Sequence, residues 1–109
     1  MAEPATGLLI GGERVGGEGE VIRVENPYSE AIIAEIRSAS PEQVDAAVAA
    51  ARNGFRVWEF TPATERAEML HEVASRLRSQ TDDLAALMTS EGGKPLLENA
   101  DEVGWVAAA

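Results

Sequence analysis

The chain has 109 residues with 19 acidic and 9 basic side chains, and its net charge of −10 excludes a surface built to track nucleic-acid phosphates. The absence of cysteine removes disulfides, thiolate metal sites and a cysteine nucleophile from this stretch. At this length it is one domain at most, or a piece of a larger one, and an apolar share of 45% rich in alanine, with only 5% aromatics, promises a thin core.

Residues 1–6 read as a frayed tail with neither the basic segment nor the apolar stretch of a signal peptide. No apolar run approaches the roughly 20 residues that span a bilayer, so the expectation is a soluble, cytoplasmic chain with no membrane partner. Leu8-Leu9-Ile10 predicts a short strand, Gly11-Gly12 a tight hairpin turn at positive φ, and Glu13-Arg14-Val15 the returning strand. Gly16, Gly17 and Gly19 then lie among glutamates, too pliable to be structured by themselves. Gly17-x-Gly19 resembles the start of a dinucleotide loop but lacks the third glycine and a following helix, and reads as a plain loop.

Val21 to Val24 predicts a third strand. Asn26-Pro27-Tyr28-Ser29-Glu30 is a turn, in which Pro27 fixes φ and Asn26 and Ser29 can bond nearby backbone. Ala31 to Ile36 pairs back as a fourth strand, antiparallel to the third, its isoleucines suited to a half-buried pleat. Two hairpins alone are marginal in water and require helices or a larger body to pack on.

From Ser40 onward the periodicity changes to helical. Ser40-Pro41-Glu42-Gln43 combines a capping box with proline at the first helical position, and predicts a helix to about Glu59 with a soft spot at Asn53-Gly54. Its stripe is Val44, Val48, Ala51, Phe55 and Trp58. Thr61-Pro62 predicts the start of a second helix by the same capping logic, with a stripe of Ala63, Ala67, Leu70, Ala74 and Leu77. Thr81-Asp82-Asp83 opens a third, carrying Leu84, Leu87 and Met88, with its acids capping and favoured by the helix dipole. Gly92-Gly93 stops it. Pro95 opens a fourth, in which Leu96, Ala100, Val103 and Ala107 share a face. The residues through Ala109 carry no stop signal, and the expectation is a helix cut in mid-pattern. The fold class expected is α+β: hairpins over residues 7–37, then about four helices over 40–109.

Each candidate for chemistry has a plainer reading beside it. His71, the single histidine, neighbours Glu68, Glu72 and Ser75 on a helix, which could make a surface ion pair, and it reads as a structural or solvated side chain. Asp82 and Asp83 point to different sides of a helix and form no acid/base pair. Asp101 and Glu102 could offer oxygens to a cation only with further partners. Phe55, Trp58, Phe60 and Trp105 could stack a ring, but at helical spacing among alanines they read as core or interface anchors. Lys94 lacks a phosphate-binding loop, and no Ser–His–Asp arrangement is present.

Taken in order, the pieces resemble the N-terminal segment of the aldehyde dehydrogenase superfamily. They are Leu9-Ile10-Gly11-Gly12-Glu13; Val24-Glu25-Asn26-Pro27-Tyr28-Ser29-Glu30; Ala34-Glu35-Ile36; Ser40-Pro41-Glu42-Gln43-Val44-Asp45-Ala46-Ala47-Val48-Ala49-Ala50-Ala51, ending in Phe55 and Trp58; Pro62 with Glu65-Arg66-Ala67; Leu84-Ala85-Ala86-Leu87; and Glu91-Gly92-Gly93-Lys94-Pro95 with Glu102-Val103. Each is weak alone, and the ordered set is specific. Two departures stand out: Arg14 occupies a frequent tryptophan position, and Glu30-Ala31 lacks the usual turn glycine.

The resemblance implies an NAD- or NADP-dependent enzyme of commonly oligomeric build. In it a cysteine thiolate attacks the aldehyde, hydride passes to the nicotinamide, and a glutamate-activated water releases the acid. Those residues and the main cofactor loops lie downstream in the family, so no catalytic, cofactor-binding or metal residue is carried onto this chain. Residues 7–109 then correspond to an incomplete outer part of a Rossmann-like cofactor domain, whose partner is the rest of the enzyme chain. Alone, the chain is expected to be inactive, to bind no cofactor and to expose its stripes. The rivals are a self-contained α+β interaction module anchored by Trp58 or Trp105, and a family remnant that caps a full-length partner.

Overall fold

The computed structural model describes residues 6–108 as β1 (Leu8–Ile10), β2 (Glu13–Val15), β3 (Val21–Glu25), β4 (Ile32–Arg37), α1 (Pro41–Phe60), α2 (Ala63–Ser79), α3 (Thr81–Gly92) and α4 (Leu96–Val106). Of the expected tail, residues 1–5 lie outside the described residues. The described residues divide into two compact units: one holds residues 6–24 and 34–61, the other 25–33 and 62–108.

In the first unit β1 and β2 are antiparallel, with Leu8 opposite Val15 and Ile10 opposite Glu13. Gly11 and Gly12 at φ 61° and 89° give the turn handedness that matches strand twist. Bonds from Gly19 N to Ser38 O at 2.8 Å and from Ser38 N to Glu20 O at 2.9 Å close the foot of the β3–β4 hairpin and make it antiparallel. α1 begins with the expected capping box. Ser40 Oγ accepts from Gln43 N at 3.2 Å, and Gln43 Oε1 accepts from Ser40 N at 3.1 Å. The helix runs without interruption through Asn53-Gly54, so the soft spot does not break it. A mid-helix glycine costs about 1 kcal/mol against alanine, too little to end a capped 20-residue helix. α1 packs against β1, yet none of its residues is buried.

The second unit contains the turn 25–33 and three helices. The turn is held by Asn26: its Oδ1 accepts from Tyr28 N at 2.9 Å and Ser29 N at 3.2 Å, and its own N–H donates to Ala31 O at 2.9 Å. That last bond closes the turn at Ala31, so β4 starts at Ile32, one residue later than expected. Glu30 stands at φ 59°, a left-handed conformation, at the position where the turn glycine is missing.

Two helix starts differ from expectation. Thr61 does not cap α2; it closes α1, its N–H donating to Trp58 O at 3.2 Å and its hydroxyl to Val57 O at 2.8 Å. The Thr81 hydroxyl likewise donates backward, to Arg78 O at 2.9 Å. Neither α2 nor α3 has a side-chain cap, and Asp82 and Asp83 sit in the first turn of α3, where only the dipole favours them. With linkers of one or two residues, each threonine lies nearer the unsatisfied carbonyls of the helix it ends than the amides of the helix it begins. Gly93, at φ 74°, stops α3 and donates to Thr89 O as expected. α3 and α4 pack most extensively in this unit. Among the described residues the buried set is Ala85, Asn99, Val103 and Ala107. Arg78 reaches from α2 to the end of α4, donating to Ala107 O at 2.5 Å.

Candidate functional site

The residues singled out for chemistry do not converge. His71 is exposed on α2, and its neighbour Glu72 accepts from Arg76 at 2.5 Å. Asp101 is exposed, while Glu102 accepts a short bond from Lys94. Among the described residues no three His, Asp or Glu side chains are grouped to hold a metal ion.

Two glycines of the glycine-rich loop in the first unit sit hard against neighbouring chain. A Cβ on Gly17 would fall 2.2 Å from Arg37 O, and one on Gly19 would fall 2.2 Å from Ser38 Oγ. The loop is fixed by the side chain that completes the α1 cap: Gln43 Nε2 donates to Gly16 O at 2.8 Å, and Gln43 Oε1 accepts from Glu18 N at 3.0 Å. Arg37 Nη1 adds a bond to Gly19 O at 3.1 Å. The space beside Gly17 and Gly19 is therefore filled by the end of β4 and the residues just after it, and β3 follows where a dinucleotide loop needs a helix. The residues present do not fit a dinucleotide pyrophosphate.

Lys94 belongs to a second constellation, at the α3–α4 turn. Its ammonium is paired to Glu102 and lies 4.0 Å from Glu98. The hydrogen bond to Glu102 holds its pKa above the ordinary lysine value, helped by the charges of Glu102 and Glu98 and opposed by desolvation. Beneath it Asn99 is buried, donating to Thr89 Oγ1 at 2.9 Å and to Lys94 O at 3.2 Å. Pro27 seats on Gly93, where an added Cβ would meet Pro27 Cγ at 2.8 Å. A lysine engaged in this way supports the turn and offers no free cation to a phosphate. Sequence reasoning missed Asn99; a lone asparagine in a helical pattern carries no mark of burial.

What remains is apolar surface. On α1 the stripe is open: Val44, Val48, Phe55 and Trp58 are exposed, and a groove beside it is lined by Val48, Ala51, Phe55 and the stems of Arg52 and Arg56. A second groove lies between β1 and α1, lined by Leu8, Leu9, Ile10, Val44, Ala47 and Val48. On α2 Met69, Leu70 and Val73 are exposed, and on α4 Leu97 and Trp105. Phe60 is 82% exposed and Trp105 70%, so the core alternative for these aromatics is not met within this chain. A surface of this kind can bind another surface and cannot make or break a covalent bond.

The N-succinylglutamate 5-semialdehyde dehydrogenase of Vibrio cholerae serotype O1 is 39% identical over 98 residues, which are 90% of this chain and 20% of that protein. The crystal structure of a NAD-dependent benzaldehyde dehydrogenase from Corynebacterium glutamicum superposes with a TM-score of 0.91 at 31% identity, over 94% of this chain and 23% of the other. That of an NADP-dependent glyceraldehyde-3-phosphate dehydrogenase from Bacillus halodurans, complexed with NADP, does so at 0.90 and 28%, over 94% and 22%. The chain thus spans about a fifth of the length of the relatives it matches. The model of the aldehyde dehydrogenase family matches residues 15–109, the stretch that carries nearly all the ordered motifs, and the chain belongs to that family.

Proposed function

We propose that this chain is the N-terminal part of an NAD(P)-dependent aldehyde dehydrogenase that oxidises an aldehyde to a carboxylate. The observation that carries the reading is the family match over residues 15–109, on a chain a fifth the length of its relatives. Residues 7–109 form the incomplete outer part of the cofactor domain, and the catalytic and cofactor residues belong to the remainder of the enzyme. The role of this segment is architectural. Its open faces on α1, α2 and α4 are the surfaces the remaining polypeptide covers, and the thin buried set supports that reading over a self-contained module. The whole enzyme is cytoplasmic and homo-oligomeric, with the choice between NAD and NADP made outside this stretch.

A chimera tests the proposal. When residues 15–109 replace the equivalent segment of the Corynebacterium benzaldehyde dehydrogenase, aldehyde-dependent reduction of nicotinamide should persist. The isolated chain, mixed with NAD or NADP and a panel of aldehydes, should reduce none. A folded but inactive chimera, or turnover by the isolated chain, would overturn it.

A further inference from the structure

We draw no further inference here: the strongest candidate, the open apolar face of α1 beside β1 formed by Val44, Val48, Phe55 and Leu9, is the surface already assigned to the remainder of the enzyme, and nothing in the structure identifies the segment that covers it.

Discussion

Gly16 and Gly17 are neighbours in sequence and opposites in tolerance. Alanine at Gly17 places a methyl carbon 2.2 Å from Arg37 O and 2.5 Å from Ser38 O, both backbone atoms that no side-chain rotation can move. Ordinary contact requires about 1 Å more, so the loop must separate from β4. The bonds that then fail are Gly19 N to Ser38 O, Ser38 N to Glu20 O and Gln43 Nε2 to Gly16 O. At about 1 kcal/mol each, the local cost is about 3 kcal/mol, or roughly a hundredfold in the opening equilibrium. Alanine at Gly16 meets nothing within 4 Å and should change stability by less than about 1 kcal/mol. Amide hydrogen exchange at Gly19 and Ser38 reads this directly, because it reports local opening. Exchange in the Gly17→Ala chain as slow as in the parent would refute the steric argument, as would equal acceleration by Gly16→Ala.

Glu30→Gly should stabilise the 26–31 turn by up to about 1 kcal/mol, since glycine relieves the left-handed strain at φ 59°; slower exchange at Asn26 is the readout, and faster exchange would count against it. Asn99→Ala should cost about 2 kcal/mol in the α3–α4 pair by leaving the Lys94 carbonyl and Thr89 hydroxyl short of a donor. Amide hydrogen exchange along α4 measures this cost as local opening, and unchanged exchange would mean the amide is dispensable. The raised pKa of Lys94 gives a signed pH dependence. The folded form favours the ammonium, so the contribution is complete below the ordinary lysine value and is lost as alkaline pH passes the raised one. Glu102→Gln should flatten that alkaline loss, and an identical profile in the variant would remove Glu102 as its cause. In isolation the chain should bind a hydrophobic dye and melt without a sharp transition, whereas a cooperative melt with no dye uptake would favour the interaction module.

The elements most legible in the sequence are those whose signal is complete within a few residues. Gly11-Gly12, Ser40-Pro41-Glu42-Gln43 and Gly93 each specify a backbone conformation or a bond that the next few residues can satisfy, and the structure has all three. Thr61 and Thr81 carry the same chemistry as Ser40 but bond the other way, because a helix that ends one or two residues earlier presents unsatisfied carbonyls first. Gly16, Gly17 and Gly19 look alike until β4 lies alongside them, which is a tertiary fact. Burial was the least legible quantity. The stripe positions Leu84, Leu87 and Met88 are only half-buried, while Ala85 and Asn99, which carry no apolar signal worth the name, lie inside. No site residue could be read from the sequence, because no motif of a known chemistry is complete within it. The family was legible because order along the chain adds specificity that no single motif has.

The bonds of Gln43 also bear on how this segment responds to damage. A helix cap is ordinarily settled among adjacent residues, but here the same amide reaches back 25 residues to Glu18 and 27 to Gly16. Cutting the backbone between Gly16 and Gly19 would leave every covalent bond of α1 intact, yet loosen two of the three bonds that hold the Gln43 side chain, leaving only the one to Ser40 N. A protease acting at that loop would therefore be reported at the beginning of a distant helix, and fraying of residues 41–44 would serve as a sensor of the nick.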